Sequence, residues 1–151
     1  MSIEIKLVGN KTVLERLSQL ASRMDDLTPA MTAIGAELKA RVSNRFETQT
    51  DPDGIRWTDW APSTKKSYPK EGNHTVLDRY GHMLDSLGFR ADKNTVTIGF
   101  GSPYATYHEF GTKKMPRRGL LFTNPETRML STNDETTVLD ILQTFLREPL
   151  R

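Results

Sequence analysis

Few side chains in this sequence of 151 residues could carry out chemistry. There are three histidines, His74, His82 and His108, and no cysteine. Without thiols the chain has no disulfide framework, no cysteine-based zinc site and no thiol nucleophile. None of the histidines belongs to an HExxH or HxH pair, and no GxSxG, Walker or GxGxxG segment occurs. His108-Glu109 is the most suggestive pair, two metal-binding or proton-transfer groups set between aromatics. Adjacent residues of a helix diverge by about 100°, however, so the two would not aim at one ion. A surface or interface pair is the expectation. A small metal-dependent hydrolase using His82, His108 and Glu109 would need convergent ligands and a pocket, and the spacing demands neither. Asp51-Pro52-Asp53-Gly54 offers two carboxylates and a glycine, like the start of a calcium loop. It lacks the third acidic ligand and the closing glutamate, and so reads as a turn. The residues therefore point away from an enzyme and call for no cofactor or metal.

Two groups remain that could bind. Lys113, Lys114, Arg117 and Arg118 place four positive charges within six residues. Such a cluster is a solvated loop, a contact for an acidic neighbouring surface, or a contact for DNA phosphates. No aromatic platform is interleaved with it, which argues against base stacking. Trp57 and Trp60 lie three apart in a polar, proline-containing stretch. They either cover the edge of the core or anchor an interface, where tryptophan is enriched. The chain as a whole carries 21 Lys and Arg against 19 Asp and Glu, a net +2, too little for a general nucleic-acid binder.

Around these residues the patterning predicts an α+β chain: a mostly antiparallel sheet with amphipathic helices packed on one face, in a single domain spanning residues 1–151. Ile3, Ile5 and Leu7 alternate with polar residues as a short strand, and Val13, Leu14, Leu17, Leu20, Ala21 and Met24 recur as a helix over about 11–25. Thr28-Pro29 opens a second helix, the threonine as a possible cap and the proline in the first turn. Its stripe is Met31, Ile34, Leu38, Val42 and Phe46, with Arg41, Asn44 and Arg45 mainly on other faces. A long loop follows over about 47–76, with one helical turn near 63–67. A short helix is expected over 79–87. A hairpin then runs Leu87, Phe89, Ala91, turns at Asp92-Lys93-Asn94, and returns through Val96, Ile98 and Phe100. Ser102-Pro103 starts a short helix bearing Tyr104, Tyr107, His108 and Phe110 and ending at Gly111. The basic loop at about 111–118 leads to Leu120-Leu121-Phe122, expected as another strand. Asn133-Asp134 opens a last helix with Val138, Leu139, Ile141, Leu142, Phe145 and Leu146. No apolar run approaches the roughly 20 residues that span a bilayer. The start, MSIEIKLVGN, has no signal-peptide h-region. The expectation is a chain that stays in the cytoplasm until it joins something.

Taken together, four blocks in order resemble the virion-morphogenesis, or tail-completion, proteins of Mu-like phages and prophages. They are Asp53-Gly54 with Trp57 and Trp60-Ala61-Pro62-Ser63-Thr64; Leu77-Asp78 through Gly81, Met83-Leu84 and Ser86-Leu87; Val96-Thr97-Ile98-Gly99 leading to Tyr104-Ala105 and His108-Glu109-Phe110-Gly111; and Met115-Pro116-Arg117-Arg118 before an apolar segment. They span about residues 42–122, and the set is also similar to tail-terminator proteins of long-tailed phages. The resemblance implies a structural subunit of the virion neck, forming a homohexameric ring, with the tail tube protein and the head–tail connector or stopper proteins as partners. DNA passing through the joint is a further possible contact, while no membrane or small-molecule partner is implied. On this reading Trp57, Trp60, Tyr104, Tyr107, Phe110 and Met115 are the candidate interface residues, and Lys113, Lys114, Arg117 and Arg118 form a basic contact loop. The alternative is a nucleic-acid-binding accessory protein using that loop, 113–118.

Overall fold

The computed structural model describes residues 26–67, 76–77 and 81–147. The strand expected at Ile3–Leu7, the helix expected over 11–25 and His74 lie outside the described residues. The predicted second helix is α1, Thr28–Thr48, and every member of its stripe is buried: Met31, Ile34, Leu38, Val42 and Phe46. Residues at this spacing share one face, and its burial is the main gain that holds the helix in place. The start differs from expectation in one respect. Thr28 makes no side-chain cap; the Asp26 carboxylate instead accepts the Thr28 backbone N–H at 2.9 Å and also the Thr28 hydroxyl. A carboxylate suits the positive end of the helix dipole better than a hydroxyl.

Two short helices follow, α2 at Pro62–Ser67 and α3 at His82–Asp85. The second is much shorter than the expected 79–87, because Leu87 is already the first strand residue. Strands β1, Leu87–Ala91, and β2, Val96–Phe100, form the antiparallel hairpin, with Leu87 opposite Phe100 and Phe89 opposite Ile98. The connection is four residues long, one more than expected. The Asp92 carboxylate accepts the N–H groups of both Asn94 and Thr95, and so draws Thr95 into the turn. Val96, Ile98 and Phe100 are fully buried, as their alternation requires. Next come α4, Tyr104–Phe110, and α5, Thr132–Arg147. The fold is therefore α+β, but the sheet among the described residues is this hairpin alone.

Helix α1 lies across both strands, and α5 packs beside it. The two helices run antiparallel: Asp134 at the start of α5 meets Arg41 and Arg45 late in α1, while Ile141 and Phe145 lie beside Ala30 and Ala33. Gly35 permits the close approach of α1 to β1. A Cβ there would lie 2.2 Å from a ring carbon of Phe89. Alanine is the better helix former by about 1 kcal/mol, yet at this distance the Phe89 ring, packed against the core, would have to shift. Gly35→Ala is expected to destabilise by about 1–3 kcal/mol, read from urea unfolding. A neutral or stabilising result would mean the ring moves freely. Among the described residues, no helix is long and apolar enough to cross a membrane.

Candidate subunit interface and its internal support

Helix α4 presents two unlike faces. Ala105 and Glu109, four apart, point inward and are fully buried. Tyr104, Tyr107 and Phe110 point outward and are 66%, 55% and 47% exposed. Three large aromatics in water on one short helix form a ridge with no covering among the described residues.

The inward face explains how the ridge is held. The Glu109 carboxylate accepts three successive backbone N–H groups, from Leu120, from Leu121 at 3.2 Å and from Phe122 at 2.8 Å. The side chains of these three residues are buried, each 1% exposed or less. The expected strand at Leu120–Phe122 is therefore absent. Glu109 takes the donors that a neighbouring strand would have used. The carbonyls are also claimed by side chains: Arg45 donates to Leu120 O at 2.6 Å and Arg117 to Phe122 O at 2.6 Å. The pairing of His108-Glu109 as a surface feature is likewise corrected. Glu109 is a core residue because its helix turns it toward a segment rich in unpaired donors. Burial pushes its carboxyl up from the usual range, while the three N–H groups and the Arg117 guanidinium draw it back. Both of its oxygens are engaged by these backbone groups.

The basic loop divides into two halves. Arg117 Nε donates to Glu109 O at 2.7 Å. Arg118 is buried and donates to Thr58 O at 2.8 Å and Asp59 O at 2.9 Å. Both guanidiniums are thus bonded to backbone carbonyls within the fold. Lys113 and Lys114 alone of the four are fully outward, at the tip of a tight turn closed by reciprocal bonds between Thr112 and Met115. Gly111 begins this loop at φ +73°, and a Cβ there would lie 3.0 Å from Arg117 N, so the position suits glycine alone.

Trp57 belongs to the core. It is 5% exposed, meets Phe46 edge-on at 5.4 Å and donates its indole N–H to Gly119 O at 3.0 Å. Trp60 is half-buried against the same cluster. The first part of the 47–76 segment is therefore fastened down. Asp51 closes the expected turn by accepting the N–H groups of Asp53 and Ile55, and Asp53 accepts the Thr123 hydroxyl.

Trp60, Tyr104, Met115, Lys114, Arg118, His82 and His108 come together around an open cleft of about 1000 Å³. Met115 is half-buried at its rim. Among the described residues no group of three or more His, Asp or Glu could hold a metal ion. His108 Nδ1 is buried with no hydrogen-bond partner among the described residues. Burial, helped by the nearby Arg118 charge, pushes its imidazole down from 6.5 to about 4. An unfolded chain accepts that proton as pH falls below 6.5, whereas the folded chain resists it until about 4. The stabilising effect of the neutral ring is therefore complete above 6.5 and lost as pH falls toward 4. After allowance for partial solvent access, about 2 kcal/mol is expected to go in this window. Urea titrations between pH 7 and 4 should show a shallower decline for His108→Gln than for the wild type. Equal slopes would place the proton elsewhere.

Sequence reasoning missed Glu109, Arg45 and Asp134 as internal pillars. One signal was legible: Glu109 stands four residues from Ala105, on the face opposite Tyr104 and Tyr107, where an acid needs dedicated partners. The family model for the phage virion morphogenesis family matches residues 8–147. The Mu-like prophage FluMu G protein 2 of Haemophilus influenzae is 25% identical over 145 residues, covering 96% of each chain. FluMu G protein 1 of the same organism is 29% identical over 127 residues, 80% of this chain and 84% of its own. No solved structure matches. The matched span takes in the ridge, the glutamate clamp and both long helices, and the chain belongs to the phage virion morphogenesis family, proteins of phage assembly.

Proposed function

We propose that this chain is a ring-forming tail-terminator or tail-completion subunit at the head–tail junction. In this role it contacts copies of itself, the tail tube protein and the connector or stopper proteins. It is made in the host cytoplasm and ends in the virion neck. The observation that carries the reading is the aromatic ridge of Tyr104, Tyr107 and Phe110, exposed on a helix fixed from beneath by Glu109. Exposed aromatics on a rigid support are what a lasting protein contact covers. Trp60 and Met115, half-buried at the adjoining cleft, extend the same surface.

The test is light scattering and negative-stain imaging of the purified chain, with and without tail tubes. Wild type is expected at tube ends; Tyr107→Glu/Phe110→Glu is expected to fold normally and to be absent from them. A chain that never joins tubes or heads would overturn the proposal. The reading as a DNA-binding accessory protein loses support because Arg117 and Arg118 are engaged internally. Two lysines give only a small salt dependence. It would return if Lys113→Ala/Lys114→Ala abolished a salt-sensitive DNA affinity while assembly stayed normal.

A further inference from the structure

A ring needs two different surfaces on each copy, and the fold places a suitable pair at opposite ends of α1. The ridge is at the C-terminal end: Arg45 holds Leu120 O while Glu109, within α4, holds Leu120 N. At the other end, Pro29, Ala30 and Ala33 of α1 and Ile141, Thr144 and Phe145 of α5 line a shallow apolar groove of about 310 Å³ with Asp140 on its wall. Ala33 and Arg45 are separated by about 18 Å along the helix axis, at 1.5 Å per residue. Ridge and groove are therefore offset along α1, as the two unlike surfaces of a head-to-tail contact require.

The charges are complementary. Beside the ridge stand Lys113 and Lys114, both exposed. Beside the groove stand Asp140 and, one turn beyond Ala33, Glu37, both exposed. The groove walls are small or apolar, which suits the entry of an aromatic edge.

We propose that the ridge of Tyr104, Tyr107 and Phe110 on one copy seats in the α1/α5 groove of the next copy, with Lys113 and Lys114 facing Asp140 and Glu37. This rests on the ring reading above and assigns its two surfaces. The contact is head-to-tail, so repetition closes a ring when the rotation between copies permits it.

The natural absence of cysteine allows a direct test. Full-length chains carrying Tyr107→Cys, Ala33→Cys or both are assembled with tail tubes and then oxidised. The double variant is expected to give a ladder of covalent oligomers. Each single variant is expected to stay as one band, and a mixture of the two singles to stop at a dimer. Lys113→Glu/Lys114→Glu should reduce cross-linking at least tenfold, and adding Glu37→Lys/Asp140→Lys should restore it. Dimers from Tyr107→Cys alone would overturn the proposal by indicating a face-to-face contact. So would a double variant that enters tails yet never cross-links. An Ala33→Glu chain with a lowered melting temperature but normal incorporation would also overturn it, because the groove would then be filled from within the same chain. Absence from the tails altogether would refute the assembly reading itself, and the contact with it.

Discussion

Replacing Glu109 with alanine is expected to destabilise the protein by about 4 kcal/mol. Three buried backbone donors, at Leu120, Leu121 and Phe122, lose their acceptor in one step. A buried donor left unsatisfied costs about 1–3 kcal/mol, with some recovered when the segment relaxes toward water. Arg117, whose Nη2 lies 3.9 Å from Glu109 Oε1, loses its nearest carboxylate as well. For a chain of this size the loss corresponds to roughly a 10 °C fall in melting temperature. Glu109→Gln keeps one acceptor oxygen but turns an NH₂ group toward N–H groups, so about half the loss is expected. Chemical unfolding of both variants is the measurement. A loss below about 1 kcal/mol for Glu109→Ala would show that the segment finds other partners. The consequence reaches function through α4: when Leu120–Phe122 is released, the ridge loses its fixed position, and incorporation into tails should fall even at temperatures where the chain stays folded.

The second large effect concerns Asp134, which is 1% exposed at the start of α5. Its carboxylate accepts Arg41 Nε at 2.8 Å and a guanidinium N–H of Arg45, itself 6% exposed. Its own N–H donates to the Ser131 hydroxyl at 3.1 Å, capping the helix. Asp134→Ala leaves Arg45 buried with, among the described residues, only the Leu120 carbonyl, and about 3–5 kcal/mol is expected to be lost. Most of this is the cost of stranding a buried charge. The Arg45→Met/Asp134→Ala chain should therefore lose less than the two single changes summed, by at least about 1.5 kcal/mol. Additive losses in a double-mutant cycle would show that the pair is not coupled. Arg45 had been expected on a face of α1 away from the apolar stripe. It is instead adjacent in the chain to Phe46 and reaches across to α5 and to Leu120.

These two sites mark the division between what was readable from the residues and what was not. The stripe of α1, the alternation of the hairpin, the turn at Asp51–Gly54 and the glycine stop at Gly111 all follow from the sequence, because each is set by spacing within a few residues. Helical and strand periods are local geometry, and apolar burial rewards them wherever the partner surface lies. The four-block resemblance to virion-morphogenesis proteins was likewise legible, since it is a matter of residue order. The roles of the charged residues were decided only by the tertiary structure. Arg45 meets Leu120 across 75 positions and Asp134 across 89, and Arg118 meets Asp59 across 59. No local pattern records such meetings, and a charge that would ordinarily stay in water is buried only if the fold supplies its partners. The same reason undoes the strand expected at Leu120–Phe122: its apolar side chains were read correctly, but its backbone donors were taken by a glutamate on another element. Of the basic loop, the sequence showed four equal charges. The fold engages Arg117 and Arg118 with the backbone carbonyls of Glu109, Phe122, Thr58 and Asp59, and leaves Lys113 and Lys114 outside at the tip of the Thr112–Met115 turn beside the aromatic ridge.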